Sequence, residues 1–152
     1  MIWLCGDSQG EVDLGKVEEF FDAIEEYEEL TKDDYLIILG DAGVCWDGGI
    51  TDSVVQELLH DLPCTVLFID GNHENFDELE QYPVEDWHGG KVQFIREDII
   101  HLMRGQVFEI EGKTFFTFGG GNSIDKRMRT PHITWWPQEM PSEEEYEEGL
   151  RN

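Results

Sequence analysis

Three short apolar runs, each closed by a glycine or an aspartate, decide what this chain can fold into. Ile2 to Cys5, Tyr35 to Leu39 and Thr65 to Ile69 are continuous in apolar residues, as expected for strands of a parallel sheet covered on both faces. Between the first two, Val17, Phe20, Phe21, Ile24, Tyr27 and Leu30 recur at helical spacing and predict a core stripe. Glu18, Glu19, Asp22, Glu25, Glu26, Glu28 and Glu29 fill the rest of that helix. A second helix is predicted over about Thr51 to Leu62, with Val54, Val55, Leu58 and Leu59 inward and Thr51 or Asp52 as its N-cap. Residues 1–82 therefore read as βαβαβ.

After a brief acidic helix near Phe76 to Gln81, the period changes from helical to alternating. Val92 to Ile95, Ile99 to Met103, Gln106 to Ile110 and Thr114 to Phe118 read as strands of an antiparallel or mixed second sheet. The turn Glu111-Gly112-Lys113 predicts a hairpin between the last two. A loop-like run, GGGNSIDKRMRTPHITWWPQEMP, precedes a final helix opened by a capping box from Ser142 to Glu145. No Ser/Pro-rich linker separates residues 83–152 from the first half, so 1–152 is expected to form a single α/β domain.

Charge narrows the function. With 35 acidic against 10 basic residues the net charge is −25, which excludes direct nucleic-acid binding driven by cationic side chains and opposes contact with anionic membranes. The sequence contains neither an apolar run of spanning length nor a basic start followed by an apolar segment, so a cytoplasmic location is expected. Cys5, Cys45 and Cys64 lack CxxC spacing and are expected to be small buried hydrophobes.

In parallel sheets, ligands gather at the carboxyl ends of the strands. Here those ends are Gly6-Asp7-Ser8-Gln9-Gly10, Gly40-Asp41-Ala42-Gly43 and Asp70-Gly71-Asn72-His73-Glu74. One such loop is ordinary turn chemistry, but three on one sheet edge would bring Asp7, Asp41, Asn72 and His73 together. Oxygen and imidazole donors of this kind suit Mn, Fe, Mg or Zn held for hydrolysis.

The order and spacing of GDSQG, LGDAG and GNHE resemble the calcineurin-like metallophosphoesterases. WHGGKV, HLMRGQVFEIEGKTFFTFGGGNSIDKRMR and WWPQEMPS resemble a bacterial and phage-borne branch of that family, so the similarity covers Met1 to Leu150. The resemblance implies two facing mixed β-sheets flanked by helices and a phosphoester substrate. It further implies a two-metal centre in which Asp7 holds one ion, Asp41 bridges both, Asn72 holds the second and His73 protonates the leaving oxygen.

Two departures weaken that centre. The family's first motif is Asp-x-His, and its histidine position holds Gln9, a poorer donor for transition metals. The family pattern also continues many tens of residues past the WWPQEMPS segment, to further metal-binding histidines. Among the remaining histidines, His60 and His101 fall in helix and strand patterns and read as structural, whereas His88 and His132 lie in loops and are the better substitutes. The sequence thus predicts a C-terminally shortened, divergent or remnant phosphoesterase whose di-metal site is incomplete. Its divalent metal would be weakly bound or absent, and hydrolysis by the isolated chain slight. Within the basic cluster that includes Lys126, Arg127 and Arg129 are candidates for substrate-phosphate contact, and Trp135 and Trp136 for an exposed docking patch.

The acidity supports a reading of another class. Residues 1–50 carry −12, 51–100 carry −10 and 101–152 carry −3. On the first helix, like charges at i, i+4 such as Glu18 and Asp22 each cost roughly 0.2–0.5 kcal/mol. Such a surface suits a DNA-mimic inhibitor, encoded by a phage or mobile element, of a basic nuclease or other nucleic-acid-binding protein. A homodimer formed through exposed sheet and Trp surface is a further expectation.

Overall fold

The computed structural model describes residues 1–25 and 28–152; the expectations for Glu26 and Tyr27 lie outside the described residues. β1 (Ile2–Gly6), β2 (Tyr35–Leu39) and β3 (Thr65–Ile69) pair in parallel, with Ile2, Tyr35 and Thr65 in register. Their side chains alternate between two apolar layers. Leu36, Ile38, Val66 and Phe68 pack with Leu14, Val17 and Phe21 of α1 (Leu14–Glu25) and with Val55 and Leu59 of α2 (Ile50–Asp61). Ile37 and Leu67 face the opposite way, against Phe108 and Ile110 of β7 (Gln106–Ile110). Both faces are covered over β2 and β3, which is why those strands show no polar alternation, whereas β1, expected to be covered on both faces, is the edge strand and leaves Leu4 61% exposed. Phe21, Phe68, Phe108 and Trp136 are each almost fully buried, and each such burial contributes about 2–3 kcal/mol.

β6 (Ile99–Leu102) pairs in parallel with β3, and β5 (Gly90–Arg96) and β4 (Val84–Trp87) extend the sheet in antiparallel fashion. The strand order is β1-β2-β3-β6-β5-β4. The second sheet is the β7–β8 hairpin, β8 being Lys113–Thr117. The α/β class with facing sheets stands. The strands expected in the second sheet at 92–95 and 99–103, however, belong to the first, and the small sheet is purely antiparallel. Alternation reveals a strand but not its neighbour, and the β3–β6 pairing joins segments some thirty residues apart. Two of the hairpins, β7–β8 and β4–β5, turn on two residues with positive φ, Glu111-Gly112 (49° and 71°) and His88-Gly89 (48° and 95°), the geometry that matches strand twist; the β5–β6 hairpin turns on Glu97-Asp98. The short segment Val84-Glu85-Asp86-Trp87 has adjacent acids at its centre and no alternation, so it does not read as the strand β4.

Several local expectations are corrected. α1 begins three residues before Val17 and does not reach Leu30, which packs on the core from beyond the helix. Phe20 and Val54, expected inward, are 46% and 45% exposed. Phe20 instead meets Trp3 and Phe21 edge-on at the surface. The N-cap of α2 is Gly49, without a side-chain cap. Asp52 sits inside the first turn and accepts the backbone N–H groups of Trp46, Asp47 and Gly48 (2.8, 3.2 and 2.8 Å), holding the preceding loop. α3 (Phe76–Leu79) is shorter than predicted, whereas α4 (Glu143–Arg151) has the expected capping box. Trp136 is a core residue rather than part of a docking patch, and Trp135 is half-buried beneath Lys126. Cys45 and Cys64 are buried, Cys5 only partly; burial pushes the Cys64 thiol up to about 12. No helix among the described residues is long and apolar enough to cross a membrane.

Candidate functional site

The three loops predicted to carry chemistry meet where β1, β2 and β3 end. Close approach is built into their glycines. An added Cβ on Gly71 would lie 1.8 Å from Asp41 Oδ1, and one on Gly43 would lie 2.5 Å from the backbone of Gly10. Gln9 and Asp41 both adopt left-handed backbone, φ 45° and 46°, a conformation that costs a non-glycine residue about 1 kcal/mol or more and collects at functional sites. The Gln9 N–H donates to Asp41 O at 2.8 Å, locking the first loop to the second.

Asp41 is the hub. Its Oδ1 accepts the His73 backbone N–H at 2.9 Å, and its Oδ2 lies 3.5 Å from His73 Nδ1. Asp7 is exposed and accepts a long hydrogen bond, 3.4 Å, from Gln9 Nε2. Asn72 Nδ2 donates to Ser123 Oγ at 2.9 Å. Two clefts join at Asp41. One, of about 420 Å³, is lined by Asp7, Asp41, Asp70, Asn72 and the Gly119–Gly120 backbone. The other, of about 410 Å³, is lined by Gln9, Asp41, Trp46 and His73.

Beneath this surface lies a buried polar layer that the sequence reading did not anticipate. Asp70 accepts two bonds from Arg104, 2.9 and 2.7 Å, and lies 3.1 Å from His101 Nε2. Burial alone would raise the Asp70 pKa; the hydrogen bond and charge of His101, followed by those of Arg104, outweigh it and hold the carboxylate below its ordinary range. Arg104 also reaches Glu145 of α4 and the carbonyl of Gln138. Glu74, the last residue of GNHE, is fully buried, and burial pushes its pKa well above the ordinary value. Its Oε1 accepts the Ala42 N–H, while Oε2 has no hydrogen-bond partner among the described residues. Glycines again permit the packing, because a Cβ on Gly119 would strike the Asp70 carbonyl at 2.4 Å.

The other candidates fall outside the clefts. His60 bonds Asp98 and His101 bonds Gln93 and Asp70, the structural roles expected of them. His88 and His132, the loop substitutes, are held by the Glu109 carbonyl and by Asp77, and neither lines a cleft. Arg129 is engaged by Asp125 and the Thr134 carbonyl, while Arg127 is exposed on the adjacent turn. The Asp125 carboxyl is held low first by Arg129 and also by the charge of His73, so this turn lies within electrostatic range of the site.

Among the described residues no three His, Cys, Asp or Glu side chains form a ready-made chelate. The donors that do converge are carboxylates and amides with one imidazole. That set misfits a closed tetrahedral zinc site. It fits a hard ion such as Mg²⁺ or Mn²⁺, which binds through one or two carboxylates and keeps several waters.

A mixed α/β sheet whose parallel strands carry an acid, amide and imidazole cluster at their carboxyl ends defines a layered α/β protein. More narrowly, the chain belongs to the calcineurin-like phosphoesterase family, whose model (Metallophos) matches residues 1–149. Members of that family use divalent metals. Searches of the curated proteins and of the solved structures gave no match.

Proposed function

We propose that this chain is a divergent, metal-dependent phosphoesterase of low activity, whose edge site holds one hard divalent ion loosely in place of a full pair. The observation that carries this reading is the meeting of Asp7, Asp41, Asn72 and His73 around two joined clefts. Asp7, Asp41, the Asn72 amide oxygen and Gln9 would hold the ion. Bound there, it supplies positive charge against the phosphoryl oxygens of a substrate.

The protein's own groups do the remainder. Asp41 fixes the His73 backbone and faces Nδ1, and among the described residues Nε2 has no protein partner. A histidine so held can deliver a proton from Nε2 to a departing alkoxide, which raises rates by about 10²–10⁴-fold. Arg127, exposed on the turn near His73, supplies a cation for a second phosphoryl oxygen, whereas Arg129 positions that turn through Asp125.

The test is hydrolysis of bis(p-nitrophenyl) phosphate with added Mn²⁺ or with EDTA. Slow turnover that requires Mn²⁺ and disappears in Asp41→Asn supports the reading; equal rates in the variant and the parent overturn it. The exposed carboxylates of α1 and α4 favour a second reading, an acidic inhibitor of a basic nucleic-acid-binding protein. Displacement of DNA from such a protein at low salt, where electrostatics are strongest, tests it.

A further inference from the structure

An amide offers a cation only one of its two ends, so a useful Asn72 must be held the right way round. Two segments far from the loop motifs converge on it. Ser123 comes from the glycine-rich run and Glu139 from WWPQEMP. Glu139 is 0% exposed, and both of its oxygens are occupied by Ser123: Oε1 accepts the backbone N–H at 2.9 Å and Oε2 accepts the hydroxyl. With Oε1 taken by the Ser123 N–H and the Ser123 hydroxyl donating to Oε2, an ionised Glu139 only accepts, and the single hydroxyl proton is committed to it. Ser123 Oγ therefore meets Asn72 as an acceptor, and Asn72 Nδ2 donates to it at 2.9 Å. Were the amide flipped, Oδ1 would face an oxygen without a proton, trading a buried hydrogen bond for lone-pair repulsion.

We propose that Glu139 and Ser123 are positioning residues that turn the Asn72 amide so that its oxygen, and not its nitrogen, faces the cleft. Their importance for ion binding rests on reading the cleft as a cation site. The backbone around them is fitted to the task, since a Cβ on Gly120 would lie 2.5 Å from the Glu139 carbonyl and one on Gly121 would lie 3.3 Å from Asn72 Cβ.

The experiment has two arms on the full chain. In the ion-free protein, ¹⁵N NMR of the Asn72 side-chain amide, assigned by its loss in Asn72→Asp, reports the orientation directly. Slow hydrogen exchange is expected in the parent, with fast exchange in Ser123→Ala and in Glu139→Gln, whose own amide can donate to Ser123. Fast exchange in the parent overturns the proposal. In the second arm, Mn²⁺ calorimetry compares Ser123→Ala in the Asn72 and Asn72→Asp backgrounds. Loss of an outer partner weakens metal binding by about 10–100-fold. That loss is expected with Asn72 and should shrink to about twofold or less with two equivalent Asp oxygens. Equal losses in both backgrounds would reduce Ser123 to a structural role and overturn the proposal. A protected amide in a parent that binds no Mn²⁺ would uphold the orientation and overturn the cation reading alone.

Discussion

Asp41 grips His73 at two points, Oδ1 on the backbone N–H at 2.9 Å and Oδ2 3.5 Å from the ring Nδ1. One carboxylate thereby anchors the β3 loop through the His73 backbone and stands beside the imidazole. If His73 protonates the leaving oxygen, its removal hurts most where the leaving group most needs the proton. His73→Ala is expected to lower kcat by about 10²–10⁴-fold with an alkyl phosphoester and by much less with a p-nitrophenyl ester. Paired assays on the two substrates check it, and equal losses on both would remove His73 from the role of acid.

Gly71 is required by the same contact. With its Cβ 1.8 Å from Asp41 Oδ1, Gly71→Ala must push the two loops apart. Overpacking of this kind costs about 1–3 kcal/mol, which thermal unfolding will show as a lowered Tm. Gly6→Ala, whose Cβ meets nothing within 4 Å, is the control expected to leave stability nearly unchanged.

Glu74 should make the fold pH-sensitive. Its carboxyl is buried and its pKa raised, so the folded state holds a proton that the unfolded chain releases more readily. The stability it lends is fully present below the ordinary carboxylate range and is lost as pH rises from there through the raised value, at up to about 1.4 kcal/mol per pH unit. Denaturant unfolding across pH should show this decline in the parent. Glu74→Gln, which resembles the protonated acid, should remove that slope and be the more stable of the two at alkaline pH.

Arg104 and Asp70 behave in the opposite sense. Asp70 is held low by His101 and Arg104, so the stability it contributes is present above the ordinary carboxylate range and fades as pH falls through the lowered value. Removing one partner of a buried ion pair strands the other, at a cost of about 3–5 kcal/mol. Arg104→Ala is expected to show a loss of that size at neutral pH and a smaller one in acid. A loss under about 1 kcal/mol would mean that water replaces the guanidinium freely.

The legible part of this protein was its parallel core. Leu36 to Leu39 and Val66 to Ile69 announce strands because every residue is apolar, and the polar triplets after them had only one edge on which to gather. Asp7, Asp41, Asn72 and His73 accordingly line the two clefts at that edge. The neighbours of β6 were not legible, although the consecutive burial of Asp98, Ile99, Ile100, His101 and Leu102 marks an interior strand. Hydrogen-bond partners distant in sequence were equally hidden: nothing near Asp70 names Arg104, and nothing near Asn72 names Ser123 or Glu139. The polar Glu in WWPQEMP, amid apolar neighbours, was the one signal that this segment is buried for a reason.

The most direct measurement is Mn²⁺ calorimetry on the parent chain and on Asp41→Asn. The variant keeps an oxygen to accept the His73 N–H but loses the charge, so its fold should persist. Saturable binding in the parent, weakened more than about 100-fold in the variant, is the predicted result, since loss of a direct ligand should exceed the 10–100-fold typical of an outer partner. Equal binding in the two proteins, or none in the parent, would contradict a metal site at the carboxyl edge of the sheet.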